Sequence, residues 1–313
     1  MNPLKYGFFL GCIMPNRYPQ IERSIRTVFE ELDIELLEMN GASCCPAPGV
    51  IRGFHIPTWQ AIAARNICIA EEMGVDIVTG CNGCYGSLRD AWYELNENQD
   101  EKRHINEYLR QIGRQFKGNI EPKHLVQVLY QDLGIDRIED KIKYKFKDLK
   151  VGVHYGCHIV KPSDKRPWNG EYEFPTFLDE LVEITGAESV NYKDKYSCCG
   201  AGGAVRGALR ELSADFTREK IINMRDAKAD ILIDCCPFCH FQFDAGQKEA
   251  NEYYPELIDK PLDLPVIYIT QLLGLAMGIS PKRLGLEQNQ DIKGVPPNIS
   301  IESFLKISKE QLT

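Results

Sequence analysis

One cysteine pattern occurs twice in this chain, and it limits the fold more than any other feature. Ten of the twelve cysteines fall into two sets of the same order: a single cysteine, an adjacent pair, and a closing Cys-x-x-Cys. The first set is Cys12, Cys44-Cys45 and Cys81-Asn-Gly-Cys84. The second is Cys157, Cys198-Cys199 and Cys236-Pro-Phe-Cys239. The sets are offset by 145 residues at the first cysteine, 154 at the pair and 155 at the closing motif. An insertion of nine residues within 161–173 accounts for most of that drift. A repeat this long means a duplicated domain and not a solenoid, and 313 residues suffice for two domains of ordinary size.

The flanking residues repeat as well. YGFFLGC and VGVHYGC are short β-rich runs ending in Gly-Cys, and VDIVTGC and ADILIDCC are apolar runs that also end in cysteine. Each reads as a buried strand delivering a thiol from its C-terminal end. Helical patterns follow over Tyr18–Leu32, Thr58–Met73 and Leu88–Leu95, and again over Pro175–Thr185, Arg206–Asp226 and Gln242–Tyr253. EKRHINEYLRQIGRQF and PKHLVQVLYQDLG read as further helices, Lys141–Lys150 as the link, and VIYITQLLGLAMG as the close of the second half. Strands alternating with helices predict an α/β fold with parallel sheets covered by helices. The expected division is 1–150, 151–286, and a polar tail at 287–313 that is flexible or lies on a partner.

Composition narrows the function. The chain is 43% hydrophobic and 26% charged, a globular balance, and its net charge of −8 argues against a general nucleic-acid binder. No run of 18 apolar residues is present, and MNPLKYGFFLGC is too short to act as a signal peptide, so a cytoplasmic location without direct membrane insertion is expected. Structural disulfides rarely persist in a reducing cytosol, which leaves metal binding or thiol redox chemistry for the cysteines.

The spacing carries chemical meaning. Each Cys-x-x-Cys has the reach to place two thiolates on one metal centre, with its second cysteine near a helix start. Adjacent cysteines point apart in an extended chain, so one ion rarely takes both, whereas a polynuclear cluster can. Each half offers five thiols, but a zinc site or a cubane [4Fe–4S] cluster needs four. Either one cysteine per half is not a ligand or the cluster is unusual. The small-residue loops Pro46-Ala47-Pro48-Gly49 and Gly200-Ala201-Gly202-Gly203 would let backbone N–H groups approach such a cluster. Cys68 and Cys235 have no counterpart in the other half and stay outside the candidate set.

FLGC, CCPAPG, GCNGCY, HYGCH, CCGAGG and CCPFCH together resemble the CCG-domain family, in particular its heterodisulfide reductase branch. Both copies match in full and span nearly the whole chain. The resemblance implies two pseudo-symmetric CCG domains, each holding a noncubane [4Fe–4S] cluster through all five cysteines. The ligands implied are Cys12, Cys44, Cys45, Cys81 and Cys84 for one cluster, and Cys157, Cys198, Cys199, Cys236 and Cys239 for the other. It further implies reductive cleavage of the mixed disulfide of coenzyme M and coenzyme B, lying between the clusters, as a step of methanogenesis. No Cys-x-x-Cys-x-x-Cys-x-x-x-Cys-Pro run is present, so electrons must come from elsewhere. The resemblance implies the ferredoxin-type iron–sulfur C subunit and the flavin-bearing A subunit of heterodisulfide reductase, with a hydrogenase or formate dehydrogenase. Alternatives within the family are a quinone, a thiol–fumarate couple or an oxidised sulfur carrier as substrate. A purely electron-transferring role is the alternative from another class.

Among the histidines, His158 follows Cys157 and is the candidate proton donor to a leaving thiolate. His154 lies in the strand and reads as packed, while His240 follows Cys239 and would stand behind the ligands. Lys161, Lys165 and Arg166 in the insertion, with Arg52 and Arg206 after the pairs, are candidate contacts for sulfonate or phosphate on a substrate.

Overall fold

The computed structural model describes residues 4–168, 172–287 and 298–311. Residues 169–171 of the insertion, and 288–297 of the tail with Pro296-Pro297, lie outside these. The first half contributes β1 (Leu4–Phe9), β2 (Ile34–Glu38), β3 (Asp76–Thr79) and β4 (Pro122–His124). The second contributes β5 (Lys150–His154), β6 (Glu188–Ser189), β7 (Ile231–Asp234) and β8 (Val266–Tyr268). Each set forms a parallel four-stranded sheet, in the orders β2-β1-β3-β4 and β6-β5-β7-β8. The principal helices are α1 (Pro19–Glu31), α2 (Ile56–Met73), α3 (Asn82–Glu97), α4 (Gln99–Arg110), α5 (Phe177–Glu183), α6 (Arg210–Asp226), α7 (Pro237–Tyr253), α8 (Ile269–Ala276) and α9 (Glu302–Gln311). The α/β expectation therefore holds, with the same strand order in both halves.

This order places the cysteines. The chain leaves β1 toward β2 on one side, while β3 pairs on the other, so a crevice opens at the carboxyl ends of β1 and β3. Cys12 follows β1, the Cys44-Cys45 pair follows β2, and Cys81 follows β3. In the second half Cys157, Cys198-Cys199 and Cys236 follow β5, β6 and β7 in the same way.

Several boundaries differ from the sequence reading. The helix expected over Leu88–Leu95 begins at Asn82, and that expected over Gln242–Tyr253 begins at Pro237, because Cys81 and Cys236 are their N-caps. PKHLVQVLYQDLG opens as strand β4 and continues as a short helix and the π-helical stretch Val128–Leu133. Arg206–Asp226 is broken at Leu209. The polar tail is not free where it is described: Phe304 of α9 is fully buried against Phe146, and Asn298 bonds to Asp244. No helix among the described residues is long and apolar enough to cross a membrane.

One apolar core runs through both halves, from Tyr6 and Phe8 to Ile267 and Leu273. Polar ties cross the seam within it. Tyr18 donates to Asp244 at 2.7 Å, Ser24 and Thr270 share a hydrogen bond of 2.6 Å, and the Tyr268 hydroxyl donates to Gly80 O at 2.6 Å and to Cys235 O at 3.1 Å. The insertion clamps α3 of the opposite half: Arg166 Nη1 lies 2.7 Å from Asp90, with both side chains at most 1% exposed. Removing one partner of a buried pair leaves the other charge uncompensated. Asp90→Ala is therefore expected to cost about 3–5 kcal/mol, read as a lower urea midpoint. An unchanged midpoint would show that the clamp contributes nothing.

Candidate metal centre

The Gly-Cys ends of the strands are shaped for close approach. Gly11 and Gly156 have φ of +70° and +77°, in the left-handed region where a side chain is strained. A Cβ at Gly11 would lie 2.6 Å from Cys84 Sγ, and one at Gly156 would run into the Asn82 amide and lie 3.4 Å from Cys239 Sγ. At the other end of the crevice Cys81 and Cys236 cap helices of 16 and 17 residues. Free N–H groups and the positive helix end favour thiolates there. The small-residue loops also meet: a Cβ at Gly49 would lie 2.8 Å from Gly203 N. Gly200 N donates to Cys198 Sγ at 3.4 Å.

The ten repeated cysteines form one continuous series of thiol contacts. In the first half it runs Cys12, Cys44, Cys45, Cys84, Cys81, and in the second Cys157, Cys198, Cys199, Cys239, Cys236. The two series join where Cys81 Sγ and Cys236 Sγ approach to 3.8 Å. Bonds from Cys44 and Cys84 bring the Cys45 thiol down to about 4, and bonds from Cys157 and Cys199 bring Cys198 down to about 2. Burial works to raise Cys236, but bonds from Cys239 and Cys81 outweigh it and lower the thiol. The surroundings thus favour the thiolate at three points of the series, and thiolate is the form a metal binds.

Cys68 and Cys235 lie outside this series. Cys68 sits in α2, where burial raises it to about 12. Cys235 is fully buried and donates to Asn82 Oδ1 and Tyr155 O, both at 3.7 Å.

Most of the candidate basic contacts are already paired. Arg52 and Lys165 both meet Glu94 at 2.6 Å, Arg206 meets Glu249 at 2.7 Å, and Arg166 holds Asp90. Lys161 is exposed; the bond to Cys198 and burial raise the Cys157 thiol, and the Lys161 charge works against that rise. His158 lies across α3, where a Cβ on Gly86 would come within 2.9 Å of its ring, and burial lowers its proton affinity. His240 Nδ1 pairs with Asp234 at 2.9 Å, and the same carboxylate accepts from Cys236 N.

Two residues that hold the site were not singled out from sequence, and a third, His154, was set aside in favour of His158. Asn66 accepts from Ser43 N and donates to Cys44 O, both at 3.0 Å, and so fixes the first pair. Lys220, 2% exposed, donates to the carbonyls of Asp194, Lys195 and Ser197 at 2.8, 3.1 and 3.0 Å, directly before the second pair. Burial lowers it to about 8. His154, read as merely packed, stacks edge-on to Phe243. Its ligand atom also lies within 4.8 Å of Cys199 and Cys239 Sγ, and among the described residues neither ring nitrogen has a partner.

Residues 6–89 and 151–244, more than half of the chain, match the CCG family, described as a cysteine-rich domain. The chain belongs to this CCG family. Over 285 residues this CCG protein is 47% identical to the B subunit of the ferredoxin/F420H2-dependent CoB–CoM heterodisulfide reductase of Methanosarcina acetivorans, covering 91% of this chain and 93% of that one. It is 46% identical, with the same coverage, to the B subunit of the ferredoxin:CoB–CoM heterodisulfide reductase of Methanosarcina mazei. A hypothetical protein from Helicobacter pylori shares the fold, with a TM-score of 0.69 at 14% identity over 91% of this chain and 51% of that one. The thiol sets fit an iron–sulfur protein: ten sulfur donors, glycines that leave room beside them, and N–H groups aimed at sulfur.

Proposed function

We propose that this chain is the catalytic B subunit of a CoB–CoM heterodisulfide reductase. It would reduce the CoM-S-S-CoB disulfide to the two thiols. The observation that carries this reading is the ten-thiol series crossing the seam at Cys81 and Cys236. Relatives bearing that name match along nine-tenths of the chain. Cys12, Cys44, Cys45, Cys81 and Cys84 would hold one noncubane [4Fe–4S] cluster, and Cys157, Cys198, Cys199, Cys236 and Cys239 a second. When bound, such a pair supplies the two electrons that cleaving a disulfide requires.

The rest falls to the chain's own residues. Asn66 and Lys220 fix the pair loops, and Gly11 and Gly156 keep space beside Cys84 and Cys239. His158, packed across α3 at the seam, would be the proton donor to a departing thiolate, and Lys161, for which no ion pair is present among the described residues, would meet an anionic group. The protein would work in the cytoplasm as part of a larger complex. The ferredoxin-type iron–sulfur C subunit and the flavin-bearing A subunit, fed by a hydrogenase or formate dehydrogenase, would supply its electrons. The division into 1–150, 151–286 and 287–313 remains part of this proposal, and what supports it is that each of the first two segments carries one of the two sheets, apart from Lys150 at the start of β5.

The purified protein should be brown and hold about eight irons per chain, four for each of two [4Fe–4S] centres. Elemental analysis finding zinc and no iron would end this reading. His158→Gln is expected to lower turnover about 100-fold with iron unchanged. Turnover equal to the native enzyme's would remove His158 as proton donor.

A further inference from the structure

The two thiol sets follow one plan, so the places where their surroundings differ stand out. Register fixes the correspondence. Phe9 pairs with Thr79 at the end of β1, and His154 pairs with Asp234 at the end of β5, so His154 stands where the first half has Phe9. Asn66 and Lys220 correspond too. Each lies 22 residues after the first cysteine of its pair, on the following helix, with its side chain bonded to the backbone of the pair's loop. The first half thus offers a phenyl ring and a neutral amide where the second offers an imidazole and an ammonium.

We propose that His154 and Lys220 make the two centres unequal, setting the one held by the second half at the higher reduction potential, so that an arriving electron settles there first. This rests on the iron–sulfur reading above. An added electron makes a thiolate-bound cluster more negative. Its energy falls when a positive charge or an N–H donor faces the sulfurs. Three carbonyl oxygens satisfy the Lys220 ammonium, and among the described residues no carboxylate pairs with it. Its charge is therefore not cancelled locally, and burial keeps it from being screened. A neutral imidazole still carries one N–H, and the buried, unpartnered nitrogens of His154 lie beside Cys199 and Cys239.

Of the other charges that differ between the halves, Asp234 with His240 and Asp90 with Arg166 come as pairs and largely cancel, whereas Lys161 near Cys157 acts in the same sense as Lys220, from an exposed position where solvent weakens it. Solvent acts in the opposite sense, since Cys12 and Cys44 are exposed and water also stabilises added negative charge. Water at the rim is mobile, whereas Lys220 is fixed on the carbonyls that lead into the second pair and His154 beside Cys199 and Cys239, both in a low-dielectric interior.

The test is a redox titration of the iron-loaded protein followed by electron paramagnetic resonance, for the native chain, Lys220→Met, Lys220→Arg and His154→Phe. Cys81→Ser, which strips the first half, assigns the signals. The native protein should show two separate midpoints, with the upper one surviving in Cys81→Ser. Lys220→Met and His154→Phe should each move only the upper midpoint downward, and Lys220→Arg should leave it near the native value. Should Lys220→Met fail to hold iron, His154→Phe decides, because that side chain is the one the first half already accommodates. A single shared midpoint, or variants that move only the lower one, would overturn this inference. Absence of iron from the native protein would instead overturn the reading beneath it.

Discussion

Cys81→Ser and Cys236→Ser should each remove one of the two centres, about four of eight irons, and bring disulfide reduction down to background. Each cysteine is the N-cap of the long helix that begins at its strand end. Each is also the terminal member of its half's thiol series, facing the other at 3.8 Å. A serine hydroxyl there stays protonated and is a poor partner for iron. Because disulfide cleavage needs two electrons, loss of either centre should be as damaging as loss of both. Cys68→Ser, in the interior of α2 and outside the series, should keep its iron and its turnover. Iron analysis and a dye-coupled assay check both points, and near-native turnover in either ligand variant would show that the two halves do not act together.

The second large effect concerns electron supply. Alone, the chain should be inert with a flavin-based reductant and active with small low-potential dyes. The sequence has no ferredoxin run to bridge a flavin and its own centres. Cys12 and Cys44 are exposed, so a small dye can come close to the first set directly. Adding a protein with ferredoxin-type motifs should restore the natural route. The measurement compares this chain alone, with the iron–sulfur partner, and with both the iron–sulfur and flavin partners. Full flavin-driven activity without the iron–sulfur partner would show that the missing motif had been misjudged.

Much of this was legible in the sequence because cysteine is scarce and its spacing is exact. The strands ending at Phe9, Thr79, His154 and Asp234 were marked by apolar runs stopping at Gly-Cys or Cys-Cys. What stayed hidden depends on partners distant along the chain. Lys220 is an ordinary lysine in a helical pattern until three carbonyls close around it. His154 reads as a strand residue until the sheet turns its ring toward thiols 45 and 85 residues away. Arg166 looked free to bind an anion because Asp90 lies 76 residues earlier. The start of α3 was read late because Gly83 and Gly86 are poor helix formers; at α7 Pro237 occupies N1, a favourable start signal that the reading from Gln242 passed over.

The ties across the seam also bear on symmetry. Tyr18 reaches Asp244, Tyr268 reaches Gly80, and one core spans both sheets. A solitary half would leave that apolar surface bare, and a pair of identical halves joined as these are would set residue 81 of one copy against residue 81 of the other. Such a dimer must treat both ends of anything bound on its twofold axis alike. Joining two copies in one chain lifts that restriction, and here the halves differ at Phe9 against His154 and at Asn66 against Lys220. A linked, lopsided pair can tell apart the two unlike molecules that a mixed disulfide joins, and a symmetric dimer cannot.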